Sequence, residues 1–318
     1  MIRRRADALG APSSAIARPP ALSHNAVGVD IEEDAMILVT GANGNVGKEL
    51  VSQLAAAKQP VRALVRDPGR RAQPAGVELV AGDLDRPASL GPALGGVRGV
   101  FLLGGHKDMP GLLTRIREAG VQRVVLLSSR SVVGGSPTNA IVRMWMTSEE
   151  AVRSSGIPWT LVRPSGFASN ALRWLPQLRA GDLVRAPFAN AAIASIDPYD
   201  IAAVARVALT TSGHESKSYA LSGPEAQLPA QQVAILAQVL GRPLRFQPQP
   251  DDEARAELLR STPPDVVEAF FRFFVGGEFD DAVILPTVQQ VTGQAPRSFE
   301  QWARAHRAEL GGTTGGQP

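Results

Sequence analysis

Residues 35–54 of this chain read AMILVTGANGNVGKELVSQL. The apolar run at 37–39 shows no polar alternation, which predicts a strand buried on both faces in a parallel sheet. From residue 46 onward, apolar residues recur at helical spacing, which predicts a helix soon after the strand. Because a glycine-rich turn lies between them, the sequence predicts a continuous strand, turn and helix.

The turn has the pattern G-x-x-G-x-x-G. Gly41 permits a tight turn, Gly44 lets the backbone approach a ligand, and Gly47 lets the helix pack close to the strand. The free N–H groups of the first helical turn suit an anion such as a pyrophosphate. A glycine triplet alone also fits an ordinary strand-to-helix turn, but this placement predicts a dinucleotide site. The other candidates in the turn are Asn43, Asn45 and Val46.

Composition narrows the class of protein. The 318 residues are 44% hydrophobic and 20% charged, as is usual for globular proteins. A net charge of +3 without a basic block argues against direct binding to nucleic acid or anionic lipid. The chain has no Cys and four scattered His, so thiolate chemistry is excluded and no metal site is expected. No apolar run approaches the ~20 residues of a membrane span, so we expect a soluble cytoplasmic protein. We expect this protein to be a monomer or a homodimer.

Both ends of the chain have a polar or low-complexity composition. Residues 1–34 are rich in Ala, Pro, Arg and Ser and lack the apolar segment of a secretory signal. The arginines at 3–5 could form a nucleic-acid arm, but acidic residues at 30–34 balance them. We therefore predict disorder over 1–34 and in the glycine-rich tail 311–318.

Strand and helix patterns alternate with short links up to residue 164. The predicted strands are 60–66, 77–84, 99–105, 121–131 and 159–164, and the predicted helices are 87–94, 109–119 and 138–155. This alternation predicts an α/β fold with a doubly wound parallel sheet and right-handed crossovers. We expect this Rossmann core over 35–165, completed by segments near 192–222.

Aromatic residues concentrate in the second half of the chain, because only Phe101, Trp145 and Trp159 precede residue 160. We therefore expect a smaller, interleaved C-terminal substrate region over 166–310. Its predicted helices are 200–209 with Asp200 as N-cap, 230–240, 251–260, 264–275 and 297–309, and its predicted strands are 218–221 and 244–246. On the helix 264–275, Phe270 or Phe273 is predicted to line a lid hinged at the glycines that follow.

Arg66 stands at the tip of the second predicted strand. At this place in a dinucleotide fold, an acidic residue selects the 2′-hydroxyl of NAD, whereas Arg accommodates the 2′-phosphate of NADP. Arg66, with Arg70 and Arg71 nearby, therefore favours NADP(H) as the cofactor. The alternatives are a solvated arginine loop and an NAD site that uses the adjacent Asp67.

The carboxyl ends of the later strands carry further candidates, because the ends of parallel strands meet at the ligand crevice. Gly104 lies at the end of the fourth predicted strand and His106 follows it, and Ser129 and Ser131 lie at the end of the fifth. His106, the two serines and Asn170 are candidate proton donors near the crevice, with loop capping or cofactor positioning as the alternative role.

From about residue 36 to 310, the chain resembles the NmrA-like group of atypical short-chain dehydrogenases. Four stretches carry the resemblance: 39–47, 61–66, 147–170 and 197–202. The group includes quinone reductases, triphenylmethane-dye reductases, aromatic-polyketide ketoreductases and redox-sensing regulators. The resemblance implies a Rossmann fold that binds NADP(H). The residues it implies are Gly41, Gly44, Gly47 and Arg66, then Asp83 and Leu84 for the adenine, and Gly104, Ser128, Arg163, Pro164 and Phe167 near the nicotinamide, with Asn170 in the substrate pocket.

The chain departs from the wider superfamily at the proton donor, which is usually a Tyr with a Lys four residues later. Alignment on Ser155 and Gly156 puts Ile141 and Trp145 at those positions. We therefore exclude a Tyr–Lys proton relay.

Two hypotheses follow. The first is an NADPH-dependent reductase that orients a planar aromatic carbonyl or quinone, which includes polyketide ketoreductases, without a dedicated acid. The second is a non-catalytic NADP(H)-sensing regulatory protein, supported by the missing Tyr and Lys. A protein that binds DNA directly is less favoured, since no helix-turn-helix or basic face is visible.

Overall fold

The computed structural model describes residues 35–69 and 74–312. The predictions for 1–34, for Arg70 and Arg71 and for 313–318 lie outside these residues. The strands are β1 (Met36–Val39), β2 (Val61–Val65), β3 (Val77–Ala81), β4 (Val97–Leu103), β5 (Arg123–Leu127), β6 (Trp159–Pro164), β7 (Leu183–Ala186), β8 (Lys217–Leu221) and β9 (Arg245–Pro248). The α-helices are α1 (Asn45–Ala56), α2 (Gly91–Leu94), α3 (Met109–Glu118), α4 (Ala140–Arg153), α5 (Leu175–Ala180), α6 (Pro198–Thr210), α7 (Pro229–Leu240), α8 (Asp251–Leu258), α9 (Pro264–Phe274), α10 (Thr287–Thr292) and α11 (Phe299–Ala305).

Seven strands form one parallel sheet in the order β3-β2-β1-β4-β5-β6-β8. The order reverses between β1 and β4, and in such sheets a crevice opens at the carboxyl ends of the two strands on either side of that point. The predicted α/β, Rossmann-type fold is confirmed. None of the helices in the described part of the chain is long and apolar enough to cross a membrane.

Helices cover both faces of the sheet, which explains the unbroken apolar run of β1. Ile37 and Val39 face one core, together with α1 and α6, whereas Leu38 faces the other, together with α3. Leu50 and Leu54 of α1 are fully buried, and each such side chain contributes about 2 kcal/mol. The strand–turn–helix unit is therefore anchored on both sides of its glycines.

A separate apolar core lies in the C-terminal part of the chain, among residues between 168 and 310. The strands β7 and β9 pair in parallel, and Val233, Leu236 and Trp302 pack together without exposure. On α9, Phe271 and Phe273 are buried, while Phe270 and Phe274 are partly exposed. Of the two lid candidates, Phe273 therefore points into the protein and Phe270 keeps an exposed surface.

The main differences from the predicted elements arise at their ends. Asp197 caps α6 by accepting from the Tyr199 N–H at 2.9 Å, so the predicted cap at Asp200 is wrong. The fifth strand ends at Leu127, because the Ser129 side chain accepts from the Ser131 N–H and turns the chain. Segment 87–94 is a 3₁₀ turn followed by α2. The sequence patterns did not predict α5, β7, α10 or two further 3₁₀ turns, Arg130–Val132 and Ala168–Trp174.

Asp200, in the first turn of α6, is buried. Burial raises its pKa from 3.8 to about 6; the N–H of Arg297 opposes this rise and the Asp197 carboxylate adds to it. Because the folded state holds this proton more tightly, the stability contribution of Asp200 falls as the pH rises from about 4 to 6.

We therefore expect Asp200→Asn to gain stability relative to the wild type, by up to about 3 kcal/mol, between pH 4 and pH 7. Urea unfolding at both pH values measures this difference. The exposed Asp251, in the first turn of α8, provides the control Asp251→Asn, which should change by less than about 0.5 kcal/mol. An equal pH response of the two variants would contradict the assignment.

Candidate cofactor and substrate site

The glycine turn between β1 and α1 has the geometry of an anion cradle. Gly41 adopts φ +61°, and its carbonyl accepts from the Gly44 N–H at 2.8 Å. A Cβ on Gly47 would lie 2.1 Å from the Gly41 carbonyl oxygen, so the close approach of helix and turn requires glycine. Asn43 and Asn45 are exposed at the tip, while Val46 is buried beneath it.

These residues fit a dinucleotide. The first residue of α1 follows Gly44, which offers no side chain to cap the helix, so the first-turn N–H groups can receive a phosphate. Beside the turn, Thr40 Oγ1 donates to the Phe101 carbonyl at 2.9 Å and accepts from the Leu103 N–H at 3.0 Å. Thr40 thus joins β1 and β4 where the order of the sheet reverses.

The residues predicted for the adenosine end follow β2 and β3. Arg66 is exposed directly after β2, and Leu84 is buried beside the half-buried Asp83. His106 lies near this end too, because its Nδ1 is 2.9 Å from Asp85 Oδ1. The hydrogen bond from His106 lowers the pKa of Asp85, against a small opposing effect of burial. Nδ1 of His106 is therefore occupied by the Asp85 carboxylate, and a role of His106 as proton donor stays a prediction.

Gly104 and Gly105 form a wall of the crevice at the end of β4. A Cβ on Gly104 would lie 2.8 Å from Cζ3 of Trp145, so the indole ring of α4 rests on the glycine backbone. The Ser148 hydroxyl accepts from the Gly105 N–H at 2.9 Å and donates to the Met144 carbonyl at 3.0 Å. Trp145, which the alignment on Ser155 and Gly156 puts at the position of the superfamily's Lys, thus contributes a flat aromatic ring to this wall.

Sequence reasoning missed Glu149, a fully buried carboxylate on α4. It accepts from Arg163 Nε at 2.7 Å and Nη2 at 2.5 Å, and from the Ser128 hydroxyl at 2.7 Å. Arg153 Nη2 lies 3.0 Å from it. Burial acts to raise the pKa of Glu149, but the bonds from Arg163 and Ser128 and the arginine charges together lower it. The side chains of Ser128 and Arg163 are therefore both hydrogen-bonded to Glu149.

The remaining candidates lie at or near the carboxyl edge of the sheet. The Ser129 and Ser131 hydroxyls are 2.9 Å apart, and Ser131 is buried. Phe167 follows β6 and is half-buried, and the exposed Asn170 donates its N–H to the Phe167 carbonyl at 3.0 Å. The predicted Pro164 is the last residue of β6.

The two α9 candidates have different environments. Phe273 is buried and its ring centroid lies 5.6 Å from that of Phe279, which precedes α10. Phe270 is half-buried and stacks on Phe274 at 6.3 Å. A lid formed by either ring stays a prediction, and Phe270 is the one with a surface left for a ligand.

No sequence signal separated Glu149 from its neighbour Glu150, since both lie in the same polar run of α4. The identity of the buried carboxylate depends on the rotation of α4 against β6. The cluster of Glu149 with Ser128, Arg153 and Arg163 is visible only from contacts in the folded structure, and the spacing of these residues in the chain does not indicate it.

Comparisons with known proteins identify the family of this chain. Residues 41–211 match the family described as NAD(P)H-binding. The chain is 44% identical over 279 residues to the (4-alkanoyl-5-oxo-2,5-dihydrofuran-3-yl)methyl phosphate reductase of Streptomyces griseus, which covers 85% of this chain and 98% of that protein. It is 35% identical over 287 residues to the NAD(P)H azoreductase of Xenophilus azovorans, covering 87% and 99% of the two chains.

Among solved structures, the NADPH-dependent quinone oxidoreductase of Escherichia coli superposes with a TM-score of 0.69 and 25% identity, covering 86% of this chain and all of that one. The NmrA-like resemblance inferred from the sequence is confirmed. This chain belongs to the NAD(P)H-binding family, and within it to the NmrA-like atypical short-chain dehydrogenases, as an NAD(P)H-dependent oxidoreductase.

Proposed function

We propose that this protein uses NADPH to reduce planar, electron-poor rings in which a C=C bond is conjugated to one or two carbonyls. Quinones and acylated unsaturated lactones are the expected acceptors, and isolated ketones are poor ones. This proposal narrows the planar carbonyl or quinone class expected from the sequence to acceptors that need no acid from the enzyme.

The observation that carries the proposal is the contact of Trp145 with Gly104. In ordinary short-chain dehydrogenases, a Tyr hydroxyl activated by a Lys protonates the oxygen of the reduced carbonyl. Here Ile141 and Trp145 occupy those positions, and the ring of Trp145 fills the space beside β4. A positioned acid typically contributes a factor of about 10² to 10⁴, so its absence must be compatible with the acceptor's chemistry.

A conjugated acceptor meets this condition. NADPH held at the glycine turn would supply a hydride, and the position of the acceptor that can take it is the ring carbon β to the carbonyls. The electron pair of the C=C bond then moves onto the carbonyl oxygens as a delocalised enolate, a weak base that water can protonate. The relative from Streptomyces griseus supports this class, since its named substrate carries an alkanoyl group and a ring carbonyl on a dihydrofuran.

The residues of this chain would then act by binding and orientation. The turn Gly41–Gly47 holds the pyrophosphate, and the Trp145 ring with Gly104 offers a flat wall. Because the Ser129 and Ser131 hydroxyls share one hydrogen bond, one hydroxyl proton is left to bind a carbonyl oxygen of the acceptor.

A substrate panel tests this proposal. NADPH oxidation should be followed with 2-methyl-1,4-naphthoquinone, with a 4-acyl unsaturated butenolide with and without a phosphomethyl group, and with cyclohexanone. We expect kcat/KM for the conjugated rings to exceed that for cyclohexanone by at least about 100-fold. Deuteride from labelled NADPH should appear on the butenolide carbon β to both carbonyls. Efficient reduction of cyclohexanone, or no turnover of any conjugated ring, would refute the proposal.

Cofactor choice is a separate prediction, which rests on the exposed Arg66 after β2. Arg66→Asp should shift the preference for NADPH over NADH by about 100-fold, because a charge-assisted bond to the 2′-phosphate is replaced by repulsion. Fluorescence titration with both cofactors measures the shift. The matched charge reversal is Arg98→Asp, because Arg98 is exposed at the amino end of β4, away from the carboxyl ends of the strands. This change should leave the affinities for NADPH and NADH unchanged. Equal binding of the two cofactors by the wild type would show that Arg66 does not select.

A further inference from the structure

Arg130 and Asp281 form a buried ion pair that the chemistry above does not use. They are 151 residues apart in the chain and only 6% and 8% exposed. Arg130 donates from Nε and Nη2 to Asp281 Oδ1 at 3.2 and 3.0 Å. Burying two charges is costly, and such pairs often contribute little net stability, so stability alone does not account for this pair.

The two residues of the pair also bind backbone groups of neighbouring segments. Asp281 Oδ2 accepts from the Gly166 N–H at 2.9 Å, and the Asp281 carbonyl accepts from the Ala194 N–H at 2.8 Å. Arg130 also donates to the Asp280 carbonyl and stacks over the Phe279 ring, 4.7 Å from its centroid. Burial raises the pKa of Asp281, and the bond from Gly166 and the Arg130 charge oppose that rise.

These contacts lie at the ends of three neighbouring strands. Arg130 follows β5, Gly166 follows β6, and Ser222, whose hydroxyl accepts from the Leu285 N–H at 2.8 Å, follows β8. The irregular segment 278–286, which we call the strap, therefore crosses the carboxyl edge of β5, β6 and β8. In open α/β sheets, ligands bind outside this edge.

We propose that the Arg130–Asp281 pair is a positioning device that holds the strap as a fixed wall of the acceptor pocket and sets the backbone of Gly166 and Phe167 beside it. The proposal rests on the proposed function, because it assumes an acceptor bound at this edge. Neither side chain takes part in a chemical step of the reaction. The pair acts through Phe279 and through the Gly166 N–H, which it keeps in place.

The kinetic test compares Arg130→Met, which retains most of the side-chain volume, with the wild type, using 2-methyl-1,4-naphthoquinone. If the strap is displaced, the acceptor is oriented less well for reaction, so kcat/KM should fall by about 100-fold. The NADPH dissociation constant should change by less than about threefold. Asp281→Asn, which retains an oxygen acceptor for the Gly166 N–H, should show a smaller fall of the same kind. It serves as the second variant if Arg130→Met does not fold.

The matched control is Arg242→Met, in the C-terminal region. Arg242 makes a comparable set of contacts, donating to Asp182 Oδ1 at 3.0 Å and to the Leu178 carbonyl at 2.8 Å. It should leave kcat/KM within about twofold of the wild type. A similar fall in both variants would mean that general destabilisation is the cause, and would overturn the proposal.

Hydrogen exchange provides a readout that does not need turnover. In Arg130→Met, the amides of Gly166 and Ala194 should exchange at least about tenfold faster, because their common acceptor Asp281 is no longer held. Unchanged exchange, or faster exchange with unchanged kcat/KM, would overturn the proposal. If the wild type reduces no conjugated ring, the proposed function fails, whereas the exchange experiment still decides whether the pair holds the strap.

Discussion

Replacing Gly47 with Ala should lower NADPH affinity by at least about 30-fold and destabilise the protein by about 3 kcal/mol. The new Cβ would lie 2.1 Å from the Gly41 oxygen, 2.7 Å from its carbonyl carbon and 2.9 Å from the Ala42 Cα. All three are backbone atoms, so no side-chain rotation can relieve the overlap. The helix must move away from the turn, and the N–H groups that receive the pyrophosphate move with it.

Isothermal titration with NADPH and urea unfolding measure the two effects. Gly91→Ala is the matched control, because a Cβ there meets no atom within 4 Å and its backbone is helical. This control should bind NADPH as the wild type does and be no less stable. Unimpaired NADPH binding by Gly47→Ala would mean that α1 tolerates the shift and that the close packing is not essential.

Replacing Glu149 with Ala should cost about 3 to 5 kcal/mol of folding stability. The carboxylate is fully buried and accepts from Nε and Nη2 of Arg163, so its loss leaves Arg163 without its partner in a largely buried position. Glu149→Gln should cost less, since its amide oxygen can still accept one bond from Arg163 or Ser128.

Urea unfolding at pH 7 measures this loss, and Glu150→Gln on the same helix is the control. Glu150 is exposed, and among the described residues its carboxylate accepts only from the Ser154 hydroxyl, at 3.0 Å, so its change should stay within about 0.5 kcal/mol. Because the folded pKa of Glu149 is lowered, its contribution is present at neutral pH and is lost as the pH falls below about 4.5. Equal unfolding free energies of Glu149→Ala and the wild type would contradict this account.

Local sequence was enough to predict the strand, turn and helix at 35–54, because each requirement there is short-range. The apolar run needs two covered faces, and the glycines need a close approach between residues six apart in the chain. The same holds for the alternation of strands and helices up to residue 164, which determines a parallel, doubly wound sheet. The missing Tyr and Lys were also visible in the sequence, because they are defined by spacing on one helix.

Tertiary structure decided which polar side chains meet. His106 lies beside Asp85, and Arg163 and Ser128 both bond to the Glu149 carboxylate, and no spacing in the chain indicated either contact. The Arg130–Asp281 pair joins residues 151 apart, and no local pattern marks either member. Charges are buried or exposed according to how distant elements pack, so the sequence determined the dinucleotide fold and its glycine turn, whereas only the packed structure determined the partners that surround the substrate edge.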